Sequence, residues 1–218
     1  MKGTFITLEG IDGCGKTTIM TFVEDHLSRS QLPFVLTREP GGTSIGESIR
    51  KIILETANRQ MTALTELLLY AADRAQHVQE KIWPALAEGK LVISDRYADA
   101  TLAYQGHGRG NDLQIVSQLI EIATGGLKPD LTIILDLEVE AAQKRLRARR
   151  ATATTDLAFD RLDQETLEFH ERVRQAYHEM ARREPDRFRM IDASGSPEDT
   201  ARFVIAAIQA ALEAWQTE

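Results

Sequence analysis

The run Gly10-Ile11-Asp12-Gly13-Cys14-Gly15-Lys16-Thr17 fits the pattern G-x-x-x-x-G-K-[ST], and it leaves the chain few folds to choose from. The pattern has meaning only between a strand and a helix. Thr4-Phe5-Ile6-Thr7-Leu8 ahead of it reads as a buried strand. Thr18 to Leu27 behind it reads as a helix with Ile19, Phe22, Val23 and Leu27 on one side. In that setting the glycines let the loop curl, successive backbone N–H groups point inward, and the helix N-terminus adds partial positive charge. The loop is then a phosphate cradle whose candidate contacts run from Gly10 through Ile11, Asp12, Gly13, Cys14, Gly15, Lys16 and Thr17 to Thr18. Lys16 supplies charge for the β- and γ-phosphates of a nucleoside triphosphate, and Thr17 a hydroxyl for Mg²⁺. Switches, motors, transporters and kinases all carry such a loop, so its use must be read elsewhere.

Five strand candidates, 4–9, 33–37, 90–94, 131–136 and 187–191, alternate with helical periodicity at 45–56, 63–86, 112–123, 138–150, 164–182 and 198–215. Pro84 is expected to bend or end the helix that holds it. Val92-Ile93 and Thr132-Ile133-Ile134-Leu135 are continuous apolar runs, as strands buried on both faces of a parallel sheet require. The alternation predicts one doubly wound α/β domain over residues 1–218, with ligands at the carboxyl edge of the strands.

A net charge of −7 argues against general affinity for nucleic acid or anionic membranes. No apolar stretch approaches a membrane span, and residues 1–10 lack a secretory pattern. One cysteine excludes an internal disulfide and points to a reducing, cytoplasmic setting. Near a helix N-terminus the Cys14 thiol is expected first as a small loop residue and second as an acidified thiol. The five histidines show no metal-ligand spacing.

Other residues sharpen the chemistry. Asp95 ends an apolar strand and precedes Arg96, which suits a carboxylate holding Mg²⁺ or its waters beside an anion-binding cation. Asp136 has the same local pattern but nothing basic beside it in sequence, and ranks lower. Gly41-Gly42 permits positive φ and close ligand approach, with Arg38 and Arg50 as nearby phosphate ligands. Tyr70 and Arg74 share a helix face and can stack and hydrogen-bond a base. Thr101 to Gly110 reads as a glycine-rich loop in which Gln105 offers donor and acceptor to a base edge. Lys144 to Arg150 is a basic helix end running into Ala151–Ala158, read as a lid at about 147–160 that brings arginines onto transferring phosphates.

Together these motifs resemble the thymidylate kinase family. The resemblance spans Leu8-Glu9-Gly10 to Thr18, Thr37 to Thr43, Ala71-Ala72-Asp73-Arg74, Asp95-Arg96-Tyr97, Ala103-Tyr104-Gln105-Gly106 and Asp160-Arg161-Leu162-Asp163. It implies a nucleoside monophosphate kinase-like P-loop fold, a five-stranded parallel sheet flanked by helices, and transfer from MgATP to dTMP giving dTDP. It implies dTMP contacts at Asp12 (sugar 3′-hydroxyl), Tyr70 (stacking on thymine), Arg74, Thr101 and Gln105 (base), Tyr104, and Arg38, Arg50 and Arg96 (phosphate), with Arg145 on adenine. Lys16 and Arg96 join Arg149 and Arg150 of the lid as catalytic cations, with Arg147 as the alternative lid arginine, because the P-loop carries no arginine. Thr17 and Asp95 would serve Mg²⁺. A homodimer is likewise implied. Two other readings stay in view: a deoxynucleoside kinase, which needs a carboxylate base at the sugar 5′ position, and a GTPase-type switch, which ordinarily needs an Asn-Lys-x-Asp motif that this chain lacks.

Overall fold

A computed structural model describes residues 3–152 and 161–216. Strands β1 (Thr4–Glu9), β2 (Phe34–Arg38), β3 (Leu91–Asp95), β4 (Leu131–Asp136) and β5 (Phe188–Asp192) form one parallel sheet in the order β2-β3-β1-β4-β5. Each begins and ends within one residue of its expected bounds. The signal was strong because the central strands are buried on both faces and read as apolar runs. β1 sits at the centre with the chain turning back on either side of it. The loop after β1 therefore opens at the switch point where such sheets bind ligands.

Helix α1 (Lys16–Ser28) lays Ile19, Val23 and Leu27 on the sheet. Each such side chain contributes about 1.5–3 kcal/mol on burial. Helix α2 (Ser44–Leu54) starts at Thr43, whose hydroxyl accepts the Gly46 N–H, and α3 (Ala63–His77) starts at Thr62 in the same way. Each cap is worth about 1 kcal/mol. The long helix expected over 63–86 does run on, but it widens into a π turn at Val78–Ile82 before α4 (Trp83–Ala87). The irregularity thus precedes Pro84, which sits in the first turn of α4 where its missing N–H breaks little.

The expected loop at 101–110 is a correction. Residues Ala98–Thr101 form α5 and run directly into a second π turn at Leu102–Gly108. Its glycines are packing residues: a Cβ on Gly108 would stand 2.7 Å from the Phe169 ring. Tertiary contact here overrides the poor helix propensity of glycine. The remaining helices are α6 (Leu113–Thr124), α7 (Val139–Thr152), α8 (Leu167–Arg183) and α9 (Pro197–Gln216). Asp12, Tyr70 and Tyr104 reach the carboxyl edge of the sheet from three different elements.

Candidate active site

The carboxyl edge opens into a cleft of about 830 Å³, lined by the P-loop, by Arg38 to Gly42, and by Arg50, Tyr70, Asp95, Arg96, Arg145, Arg149 and Asp163. This is within the range of small-molecule sites. On the P-loop side, Gly13 has φ 84°, and a Cβ there would meet the Ala142 carbonyl at 2.5 Å. The α7 backbone thus closes on the loop only because residue 13 is glycine. Lys16 donates to the carbonyls of Gly10 at 3.0 Å and Ile11 at 3.2 Å, so the loop itself holds its ammonium at the cleft. Arg145 braces the same loop from α7, donating to the Cys14 carbonyl at 3.4 Å and the Ala193 carbonyl at 2.9 Å. The Cys14 thiol is buried, and burial pushes it up despite the neighbouring Lys16. Desolvation outweighs the cation, so burial works against the acidified thiol that the sequence offered second.

Arg96 and Tyr104 close a triangle with Asp12 of the P-loop. Arg96 Nη2 donates to Asp12 Oδ1 at 2.6 Å and to Tyr104 Oη at 2.9 Å, and the Tyr104 hydroxyl donates to Asp12 Oδ2 at 2.9 Å. The guanidinium also stands 4.6 Å over the Tyr104 ring. Burial works to raise the Asp12 carboxyl, but Arg96, Lys16 and the Tyr104 hydroxyl outweigh it and hold Asp12 well below the usual carboxylate range. Arg96 Nη1 is buried with no hydrogen-bond partner among the described residues. A buried cationic donor in that condition is costly unless it serves an anion.

Arg74 is buried, as are Thr101 and Gln105. Its Nε donates to Glu39 Oε2, Nη1 to Thr101 Oγ1 and Nη2 to the Tyr97 carbonyl, each at 2.8 Å. It forms the floor of a small hollow shared with Tyr70, Thr101, Tyr104 and Gln105. Gln105 Nε2 donates to Glu66 at 2.8 Å. Tyr70, Arg74, Thr101, Tyr104 and Gln105, scattered over more than thirty positions of sequence, thus converge on one hollow. Arg38 pairs with Glu47 at 3.0 Å and Arg50 donates to the Pro40 carbonyl at 2.9 Å, both at the cleft wall.

Several residues that sequence patterns did not single out hold this wall. Glu39 bonds Arg74 with one oxygen and His77 Nδ1 with the other, and His77 Nε2 bonds Thr37 Oγ1 at 2.7 Å. Gly42 is glycine because a Cβ there would overlap the His77 ring, so packing and not ligand approach explains it. Asp73 accepts the Gly41 N–H at 2.9 Å, and its carboxyl is pushed up to about 6 by burial and then by Glu39. Glu66 gathers Gln105, Arg109 and Arg161. Burial would raise its carboxyl, but these donors outweigh burial and lower it. Arg161 is thereby committed to Glu66 and to the Ile53 carbonyl, not to the cleft.

Of the expected metal ligands, Asp95 and Thr17 both line the cleft. Asp95 Oδ1 is buried without a partner among the described residues. One carboxylate oxygen and one hydroxyl beside a phosphate cradle fit Mg²⁺, which keeps most of its waters and takes phosphate oxygens for the rest. Asp136 does not fit. It has basic company in space if not in sequence, with Arg174 Nε at 2.8 Å and His178 Nε2 at 2.9 Å, both from α8. At the α7 end, Arg149 pairs with Asp163 at 3.3 Å across the cleft wall. Residues 153–160 of the expected lid, Asp160 among them, lie outside the described residues.

A strand–P-loop–helix unit facing a cluster of arginines defines a P-loop phosphotransferase of the nucleotide kinase type. The family model for thymidylate kinase matches residues 8–204. A thymidylate kinase of Desulfosudis oleivorans is 51% identical over 94% of this chain and 96% of its own. One of Trichormus variabilis is 43% identical over 99% of this chain and 100% of its own. The crystal structure of thymidylate kinase from Ehrlichia chaffeensis superposes with a TM-score of 0.75 at 33% identity, covering 96% of this chain and 99% of that one. The chain belongs to the thymidylate kinase family.

Proposed function

We propose a division of labour for this cleft. The reaction is that of the family, ATP-dependent phosphorylation of dTMP to dTDP. The observation that carries the acceptor assignment is the set of three guanidiniums, Arg38, Arg50 and Arg96, lining one cleft with Lys16. An acceptor that needs three arginines is already phosphorylated. A deoxynucleoside acceptor would need a carboxylate base, and Asp12 and Glu39 are both bound up by cations. Thymine stacks on Tyr70 in the hollow over Arg74, Thr101 and Gln105, and Asp12 with Tyr104 takes the sugar. ATP phosphates lie in the P-loop from Gly10 to Thr18, and adenine packs on Arg145.

In this reading the dTMP phosphate attacks the γ-phosphoryl group in line. A phosphate monoester is anionic near neutral pH, so no strong base is required. Catalysis is positioning plus charge, supplied by Lys16, Arg96, Arg149 and Arg150. Thr17 and Asp95 would hold Mg²⁺, which when bound neutralises charge on the β- and γ-oxygens. Arg149 and Arg150 belong to a lid at about 147–160 of the single domain. The described residues contain no helix long and apolar enough to cross a membrane, and with a single cysteine we assign the enzyme to the cytoplasm. It acts as a homodimer, a reading supported by Leu64 and Leu68 on α3 and Ile115 and Ile122 on the adjoining α6, all exposed.

The test is ADP formation from ATP with dTMP, thymidine or no acceptor. Product is expected with dTMP at a rate far above both others. A thymidine rate equal to the dTMP rate would replace this reading with the nucleoside kinase one.

A further inference from the structure

Glu9 closes β1 immediately before the P-loop, and nothing in phosphate binding uses it. It is wholly buried and is the one charged residue of its strand. One carboxylate oxygen accepts the Tyr97 backbone N–H at 2.8 Å, and the other accepts the Tyr177 hydroxyl at 2.7 Å. Burial pushes the carboxyl up to about 7 against the opposing pull of Arg96. So unfavourable a place for a carboxylate implies that its two acceptors are needed there.

The residue before Tyr97 shows why. Arg96, at φ 72°, is the one non-glycine residue with positive φ among those described. A side-chain-bearing residue is strained in this region and stays there only where its surroundings hold it, a situation that clusters at functional sites. Three hydrogen bonds hold Arg96. Its N–H donates to the Leu8 carbonyl at 3.0 Å, Ser94 Oγ donates to its carbonyl at 2.8 Å, and the next N–H is the one Glu9 accepts. Thr7 pairs with Ser94 across the β1–β3 ladder, so by strand alternation Glu9 and Ser94 stand on one face of the sheet. The turn they hold carries the guanidinium back across the cleft to Asp12 and Tyr104.

We propose that Glu9 is a positioning residue for the acceptor phosphate: with Ser94 it clamps the left-handed turn that aims Arg96 into the cleft, and through Tyr177 it ties that turn to α8. The inference rests on the reading of Arg96 as an acceptor-phosphate ligand.

Steady-state kinetics and thermal melts of the whole protein test it, with Arg96→Ala, Glu9→Ala, Glu9→Gln and Ser94→Ala. Glu9→Ala is expected to raise KM for dTMP and lower kcat, each by about tenfold, as a misaimed catalytic group does, while KM for ATP stays within about twofold. Glu9→Gln restores most of both, because its carbonyl oxygen accepts from Tyr97 and its amide donates to the Tyr177 oxygen. A purely structural residue would lower Tm and leave the constants of the folded enzyme unchanged. Should Glu9→Ala fail to fold, Ser94→Ala decides, with the same dTMP-selective loss expected at a smaller size. Normal dTMP constants in folded Glu9→Ala, or in Ser94→Ala where that variant decides, overturn the clamp. If Arg96→Ala still loses dTMP selectively, the reading of Arg96 survives that failure. Normal dTMP constants in Arg96→Ala bring down both.

Discussion

The acceptor side of the cleft and the α7 side are built differently. Around Arg74 the charges are held by buried partners, the Arg74 and Glu39 side chains each 2% exposed, and Arg96 and Asp12 pair at 14% and 21% exposed. At the α7 end Arg149 is 56% exposed and meets its partner Asp163 at the longer distance of 3.3 Å. With Asp163 itself only 2% exposed, that pair falls between a surface pair, worth about 0–1 kcal/mol, and a buried one, whose breaking costs about 3–5 kcal/mol. On the reading proposed above, the acceptor side is built before substrate arrives, and its residues would serve stability and binding together. On the same reading, Arg149 is exposed enough at the cleft wall to serve the transferring phosphates. The comparison predicts that variants on the two sides fail in different ways.

The largest effect is expected at Lys16, whose charge both sides need. Lys16→Ala should lower kcat by about 10³-fold or more with an unchanged melting curve, since Lys16 bonds only loop atoms. Near-normal turnover in the folded variant would remove the P-loop from the mechanism. Next comes the pair Arg149→Ala and Arg150→Ala. Its kcat at saturating substrates should fall about 10²-fold, with Tm unmoved and KM for ATP little changed. If Tm drops as well, the two sides are not as distinct as the exposures imply.

Arg74→Ala should break on both axes. It leaves Glu39 buried beside Asp73 with one cation fewer, so urea unfolding should register a loss of about 3–5 kcal/mol. KM for dTMP should rise while KM for ATP holds. A stable variant with normal dTMP constants would demote Arg74 to an ordinary core residue.

The smallest effect is one of pH. The folded Glu9 carboxyl lies at about 7 against an ordinary 4.5. Folded protein therefore keeps a proton that the unfolded chain releases. The stabilisation from that proton is fully present below pH 4.5 and is lost as pH rises through about 7. Asp73, at about 6 against 3.8, acts in the same direction over a lower window. Urea midpoints of the wild type should fall relative to Glu9→Gln between pH 5 and 8, by at most about 3 kcal/mol in stability. Parallel profiles would show that Glu9 does not titrate there.

Much of this was legible in the sequence, for identifiable reasons. The P-loop, the five strands and most helices follow from local pattern, and Arg38, Arg50, Tyr70, Arg96 and Gln105 are singled out because their residue types suit nucleotide chemistry, Tyr104 through the family resemblance. What holds them was not legible. Glu39 finds His77 and Arg74, and Glu66 finds Arg161, across tens of residues, and no periodicity encodes such pairings. Asp136 was judged by its sequence neighbours, whereas its cations come from α8. The π turn at 102–108 answers to Phe169 and Leu113, which pack on its glycines in three dimensions. Glu9 carried a usable signal, the one charged residue of a strand that reads as buried.

The central claim is that the acceptor site is complete without donor or lid. Titration calorimetry of dTMP in the absence of ATP tests it most directly, with the wild type, Arg149→Ala with Arg150→Ala, and Arg96→Ala. The account predicts equal dTMP affinity for the first two and at least a tenfold loss, about 1.4 kcal/mol, for Arg96→Ala. Loss of dTMP binding on removal of the two α7 arginines, with Arg96→Ala unaffected, would contradict it.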